Sequence, residues 1–198
     1  MKYFLISLFF ITSLFSYNEE DLEKYLETKS CEECDLSFSN LSNKDLKNSN
    51  LMGANLTGVT FENSDLLKSN LWGTTLENVN LNNVNLRASN LEGAILINVQ
   101  CDNTILKGAN LSNATLENLS CKNLSLWGAR FLDTSFENVD FSGAGAAYSI
   151  FDSINFTDLK IDEAIFWNAK ISNSTLSKKK CEYLEQEEAI LYENSCED

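Results

Sequence analysis

Residues 49–73 read SNLMG-ANLTG-VTFEN-SDLLK-SNLWG, five pentapeptides that align without a gap. The third residue of each, Leu51, Leu56, Phe61, Leu66 and Leu71, is large and apolar, and the first, from Ser49 and Ala54 to Ser69, is small. Counting by fives in both directions extends the record. The 29 positions from Leu36 to Leu176 hold 17 Leu, 7 Phe, 2 Ile, 2 Cys and 1 Ala, the last being Ala146. Two residues before each of them lies a second column, in which 24 of 29 residues are Ala, Ser, Thr, Val or Cys. Neither a helical period of 3.6 nor a strand period of 2 produces such a record.

A period of five with two inward positions describes a square coil. One large and one small side chain per pentapeptide face the axis, and the other three face solvent. Two residues after the central one, 20 of 28 positions are Asn or Gly. Those residues reach a positive φ at least cost, so each pentapeptide can turn a corner there. Four corners close a coil of about 20 residues, and coils stack at the inter-strand spacing of about 4.8 Å. Residues 34–176 then form about seven coils and a rod of roughly 34 Å.

Ala54-Asn55-Leu56, Ser69-Asn70-Leu71, Ser89-Asn90-Leu91 and Ala109-Asn110-Leu111 repeat the order small residue, Asn, Leu. This pattern resembles the pentapeptide-repeat family. The resemblance implies an all-β fold, a right-handed quadrilateral β-helix, and no single activity.

The ends of such a rod need covers. Residues 17–33 are expected to form an N-terminal cap helix, with Asn18 as N-cap and Leu22, Tyr25 and Leu26 as its apolar stripe. Residues 177–198 are expected to form a C-terminal cap helix, continuous from Ser177 to about Asn194, with Tyr183, Leu184, Ile190 and Leu191 buried. Ahead of these, residues 1–16 read as a signal peptide. Lys2 precedes an uncharged, mostly apolar run from Tyr3 to Phe15 that is too short to span a bilayer, so no integral membrane segment is expected after cleavage. The expected location is periplasmic or extracellular.

Six Cys and no His suit an oxidising compartment and remove several chemistries at once. Without His there is no Ser-His-Asp or Cys-His catalysis and no His-containing zinc site. Cys31 and Cys34 form a lone CxxC at the start of the coils, read as a disulfide or capping element. Cys101 and Cys121 stack in adjacent coils. Strictly parallel side chains would hold their Cβ atoms about 4.8 Å apart, beyond the usual 3.5–4.5 Å, so free thiols are expected. Cys181 and Cys196 would lie about 22 Å apart on one unbroken helix and can bond only if the segment folds back.

Charge excludes further classes. The net charge is −14, which opposes an electrostatic grip on nucleic acid or anionic lipid. Mimicry of DNA, an activity of some members of the resembled family, fits poorly. Residues 34–176 carry 9 basic and 15 acidic residues, whereas a duplex of about 34 Å would present about 20 charges. Glu77, Glu117 and Glu137 share one face and Glu62, Asp102 and Asp162 another, but convex faces supply no cleft to shift a carboxyl into catalysis.

Residues 20 apart share a face. Asn columns such as Asn43 to Asn123, Asn78 to Asn138 and Asn50 to Asn110 are expected to form hydrogen-bonded ladders. One face differs: Lys47, Leu67, Arg87, Lys107, Trp127, Ala147 and Trp167 stack in order, flanked by Lys68 and Tyr148. The reading that follows is an exported structural or protein-binding scaffold with no catalytic activity, no cofactor and no metal. Its interaction surface is Lys107, Trp127, Trp167 and Tyr148. The partner is a protein of unspecified identity, not nucleic acid, and a homodimer stays open. DNA mimicry and thiol-disulfide exchange at Cys31 and Cys34 are the alternatives.

Overall fold

A computed structural model describes residues 18–197, so the expected leader over residues 1–16 lies outside it. The chain winds as a β-solenoid. One ladder of parallel pairs runs Ser30, Asn50, Asn70, Asn90, Asn110, Arg130, Ile150, Lys170, Ile190, each 20 residues from the last. Within it the N–H of Leu51 donates to the carbonyl of Asn70 at 2.8 Å, and the N–H of Asn70 to the carbonyl of Ser49 at 2.8 Å. Each coil thus satisfies the backbone of the next.

The corners are left-handed at nearly every fifth residue, from Glu33 (φ 53°) through Asn43, Gly53 and Asn83 to Glu193 (φ 52°). Asn and Gly dominate, but Phe38, Lys68, Ala88 and Tyr148 adopt the same conformation. The register therefore imposes the corner even on residues that resist it. Phe38 shows what such a corner can gain. Its ring lies over Gly58, where an added Cβ would approach within 2.4 Å of the ring.

Longer pairings define short strands. β1 (Thr75–Glu77), β2 (Ile95–Ile97), β3 (Thr115–Ser120) and β5 (Ser135–Asp140) form one parallel sheet in that order. β4 (Arg130–Leu132), β6 (Ile150–Asp152), β7 (Lys170–Ser172) and β9 (Ile190–Tyr192) form a second, and β8 (Thr175–Ser177) pairs with β10 (Ser195–Glu197). The centre of the rod is a column of buried Leu that gives way to Phe near Phe131. The small inward column buries hydroxyls as well as methyls. Ser49 donates to the carbonyl of Leu46 at 2.6 Å, and Thr104 to that of Leu81 at 2.7 Å. Outside, the Asn ladders from Asn50 to Asn110 and from Asn78 to Asn138 form throughout, with Asn138 donating to Asn118 at 3.1 Å, whereas the column from Asn43 is bonded only from Asn83 to Asn123.

Helix α1 (Glu19–Thr28) covers the first coil. Asn18 accepts hydrogen bonds from the N–H groups of Glu20 and Asp21, and Asp21 accepts one from the N–H of Asp35 at 3.0 Å. Tyr25 is fully buried, whereas Leu26 is exposed rather than part of the buried stripe. The coil begins earlier than expected, because Ser30 already pairs with Asn50 and Cys31 occupies a central, buried position.

The C-terminal expectation needs a larger correction. Helix α2 spans Lys178–Gln186 only. Glu188 then adopts φ 58°, which an α-helix cannot continue through, and β9 and β10 resume the coil. Leu191 pairs with Ile171 and Cys196 with Leu176, still 20 residues apart. The helix thus replaces part of one coil without breaking the count, and Ile190 is exposed rather than buried. Its side chains cover the bare edge beneath. The Lys180 ammonium donates to the carbonyls of Phe156 and Thr157, and the Tyr183 hydroxyl to that of Ala164 at 2.7 Å. Burial lowers the Lys180 pKa and raises that of Tyr183.

All three cysteine pairs are bonded. Cys31–Cys34 lies within the start of the first coil, just past the end of α1. Cys181–Cys196 joins α2 to β10, which the return of the chain allows. Cys101–Cys121 overturns the expectation of free thiols. Their Cα atoms lie 4.8 Å apart, well inside disulfide range, so the stacking of the two coils allows the bond that strictly parallel side chains would not. Both residues stand where Leu is usual. Beside them an apolar void of about 20 Å³ is lined by Leu106, Leu111, Leu116 and Phe141. Replacing Cys101 and Cys121 together by Ala should cost about 3 kcal/mol, the chain-entropy value for a loop of this length. Urea melts measure this, and non-reducing peptide mapping should recover the linked 101–121 peptide.

Candidate binding stripe

The Lys107–Trp167 stripe forms one continuous stack. The Lys107 ammonium sits 4.0 Å from the centre of the Trp127 ring. Trp127 contacts Tyr148 at 5.4 Å between ring centres, and Tyr148 meets Trp167 edge-on at 5.0 Å. The three rings are each more than 40% exposed. Tyr148 is not in the Trp column. It stands at the next corner, above Gly128, with φ 60°. Ala147, in the Trp column between Trp127 and Trp167, leaves the room its ring fills. A bulky aromatic in the left-handed region carries backbone strain that the aromatic contacts must offset.

Not every residue of the expected stripe takes part. Lys47 is committed to Asp65 at 3.3 Å and Asp45 at 3.4 Å. Hydrogen bonds to Asp65 and then Asp45 hold its pKa above the ordinary lysine value. Among the described residues, Lys68, Arg87 and Lys107 form no ion pair. Trp72 lies on another face.

The structure also adds residues. The Trp167 indole N–H donates to Glu188 at 3.1 Å, which closes the stack at its C-terminal end. Glu188 follows Tyr148 and Asn168 at intervals of 20 and was legible by that count, but the expected long helix concealed it. Beside the Trp column runs Ile105, Ser125, Gly145 and Ile165, paired in that order. Ile105 and Ile165 are exposed, at 40% and 54%. Between them a Cβ added to Gly145 would meet nothing within 4 Å. The result is a shallow notch floored by Ser125 and Gly145, with Trp127, Tyr148 and Trp167 along one side.

The CxxC offers little as a redox site. Cys31 is buried, Glu32 and Glu33 separate the pair, and it follows the C-terminal end of α1. Carboxylates and the negative end of a helix both disfavour a thiolate. Among the described residues no group of three or more Cys, Asp or Glu could hold a metal, and no helix is long and apolar enough to cross a membrane.

Fold and surface together define a repeat solenoid with a side-chain stripe. The pentapeptide-repeat model matches this chain in eight copies, over residues 30–66, 68–99, 85–118 and 94–126. The chain belongs to the pentapeptide-repeat proteins, which are generally non-catalytic. Among solved structures it is similar to a pentapeptide repeat protein from the Arabidopsis thaliana thylakoid lumen, with 15% identity, 75% of this chain and 76% of that one covered, and a TM-score of 0.41. A pentapeptide repeat protein involved in heterocyst differentiation regulation in the cyanobacterium Nostoc is similar at 18% identity, with 80% and 96% covered and a TM-score of 0.34. A plasmid-mediated fluoroquinolone resistance protein is similar at 15% identity, with 70% and 72% covered and a TM-score of 0.38. No match was found among curated proteins.

Proposed function

We propose that this chain is an exported, non-catalytic scaffold that binds a protein partner through Lys107, Trp127, Tyr148 and Trp167. The continuous exposed stack carries this reading. Trp, Tyr and basic residues beside an apolar notch have the composition of protein-binding hot spots. The rod presents these groups on a rigid frame whose backbone hydrogen bonds are already used between coils, so recognition falls to side chains. An even set of paired cysteines and the apolar leader support export.

Wild-type protein and the Trp127→Ala/Trp167→Ala variant, each immobilised, should capture different proteins from envelope or culture-fluid extracts. A partner retained by wild type and lost by the variant, with a cooperative melt showing the variant folded, is the expected result. Identical partner lists would remove the stripe as the binding face.

A further inference from the structure

We infer that the stripe's occupant is an acidic protein segment carrying one apolar side chain: carboxylates on Arg87 and Lys107, and the apolar group in the notch over Gly145. This inference rests on the stripe being a binding face and adds the chemistry of what binds.

The polarity of the stripe carries it. In the N-terminal half the carboxylates Asp45 and Asp65 are held by Lys47, and the cations above them are left open. Arg87 and Lys107 are neighbours in adjacent coils, joined through the Ala88 N–H and the Lys107 carbonyl at 2.9 Å. Neither is neutralised among the described residues, whereas Lys47, two coils below Arg87, is claimed by two carboxylates. Arg87 and Lys107 thus stand as two adjacent unpaired cations beside an exposed aromatic stack. They fit a partner that brings its own carboxylates, and Arg accepts a carboxylate in bidentate fashion. The C-terminal half has the opposite sign, for Glu188 takes the Trp167 N–H. An acidic segment is therefore attracted to one end of the stripe and repelled from the other, which fixes its direction.

The notch adds the second requirement. Ile105 and Ile165 stand proud on either side of Ser125 and Gly145, and the space above Gly145 is open. An aliphatic or aromatic side chain fills such a recess, and a uniform polyanion does not. Nucleic acid and anionic lipid are disfavoured again, because two free cations on a strongly acidic protein neutralise too little charge.

Selection of random linear peptides against the wild-type protein tests this. Enriched peptides should place Asp or Glu to one side of a single apolar residue. Their affinity should fall about tenfold or more in Arg87→Ala/Lys107→Ala and in Gly145→Leu, which fills the notch. It should also weaken as salt is raised, and Trp72→Ala, on another face, should leave it unchanged. Melting curves confirm that each variant is folded. If binding depends on Trp127 and Trp167 but not on Arg87, Lys107 or Gly145, the stripe remains the binding face and the acidic occupant is wrong. If none of these residues matters, both fail. Tighter binding of polygalacturonate than of the selected peptides would also overturn the inference, in favour of an acidic polysaccharide.

Discussion

Replacing Tyr25 by alanine is expected to destabilise the protein by about 3–5 kcal/mol, the range for removing a large buried ring. Tyr25 is the fully buried residue of α1, and its hydroxyl donates to Ser49 at 3.0 Å, whose own hydroxyl donates to the carbonyl of Leu46. The ring plugs the first coil, and the hydroxyl joins helix and coil by a relay. A Tyr25→Phe variant separates the two contributions, since it should cost only about 1 kcal/mol. The same group makes an alkaline signature. Burial pushes the Tyr25 pKa up to about 12, with the Ser49 hydrogen bond opposing by a smaller amount. In the unfolded chain the phenol ionises near pH 10. The neutral phenol therefore stabilises the fold fully below pH 10, and about 2–3 kcal/mol of that contribution is lost as pH rises from about 10 to 12. Urea melts across this window should show the loss in wild type and a smaller one in Tyr25→Phe. Equal losses would mean that Tyr25 is hydrated.

Removing the ring of Phe131 should have an effect of the same size. Phe131 stacks on Phe151 at 4.7 Å and contacts Phe136 at 5.7 Å and Phe141 at 6.1 Å. Phe131→Ala should cost about 3–5 kcal/mol, part of it from the ring pairs themselves. This cluster also explains Ala146, the small residue in the central column. Its coil holds Phe131, Phe136 and Phe141 at the other three central positions, and Phe166 follows it in the next coil. Ala146 is fully buried, while the Tyr148 ring packs outside between the two Trp residues. The volume missing at Ala146 is supplied by oversized rings around it, not by Tyr148 turning inward. Ala146→Leu should therefore lower stability by about 1–3 kcal/mol through overpacking. In a Phe141→Leu background that cost should fall, because the two positions share one space. A rise in melting temperature for Ala146→Leu alone would reveal an unfilled void.

The count by fives passes through Cys31, Cys181, Leu191 and Cys196 as well as through residues 36–176. The coil could thus have been followed to both ends of the described chain. Helical spacing over Tyr183, Leu184, Ile190 and Leu191 competed with it and concealed the return. Local pattern alone does not decide between a long helix and a short one followed by strands, because both bury Leu184 and only the pairing of Leu191 with Ile171 separates them. The Cys101–Cys121 bond escapes the count for a related reason. A column gives spacing to the nearest coil, whereas a disulfide depends on a few tenths of an ångström between Cβ atoms.

The amino-acid sequence by itself determined the coil, its inward columns, its corners and the face that holds Lys107, Trp127 and Trp167. Each follows from a strict repeat, in which position in the count dictates side and depth. Tertiary structure alone decided how neighbouring columns meet. It placed Tyr148 between two indoles, opened the notch over Gly145, drew Lys47 to two carboxylates while leaving Arg87 unpaired, and set the Glu188 carboxylate on the Trp167 N–H. Those outcomes depend on side-chain contacts between coils, and a repeat constrains the backbone that carries them far more tightly than the contacts themselves.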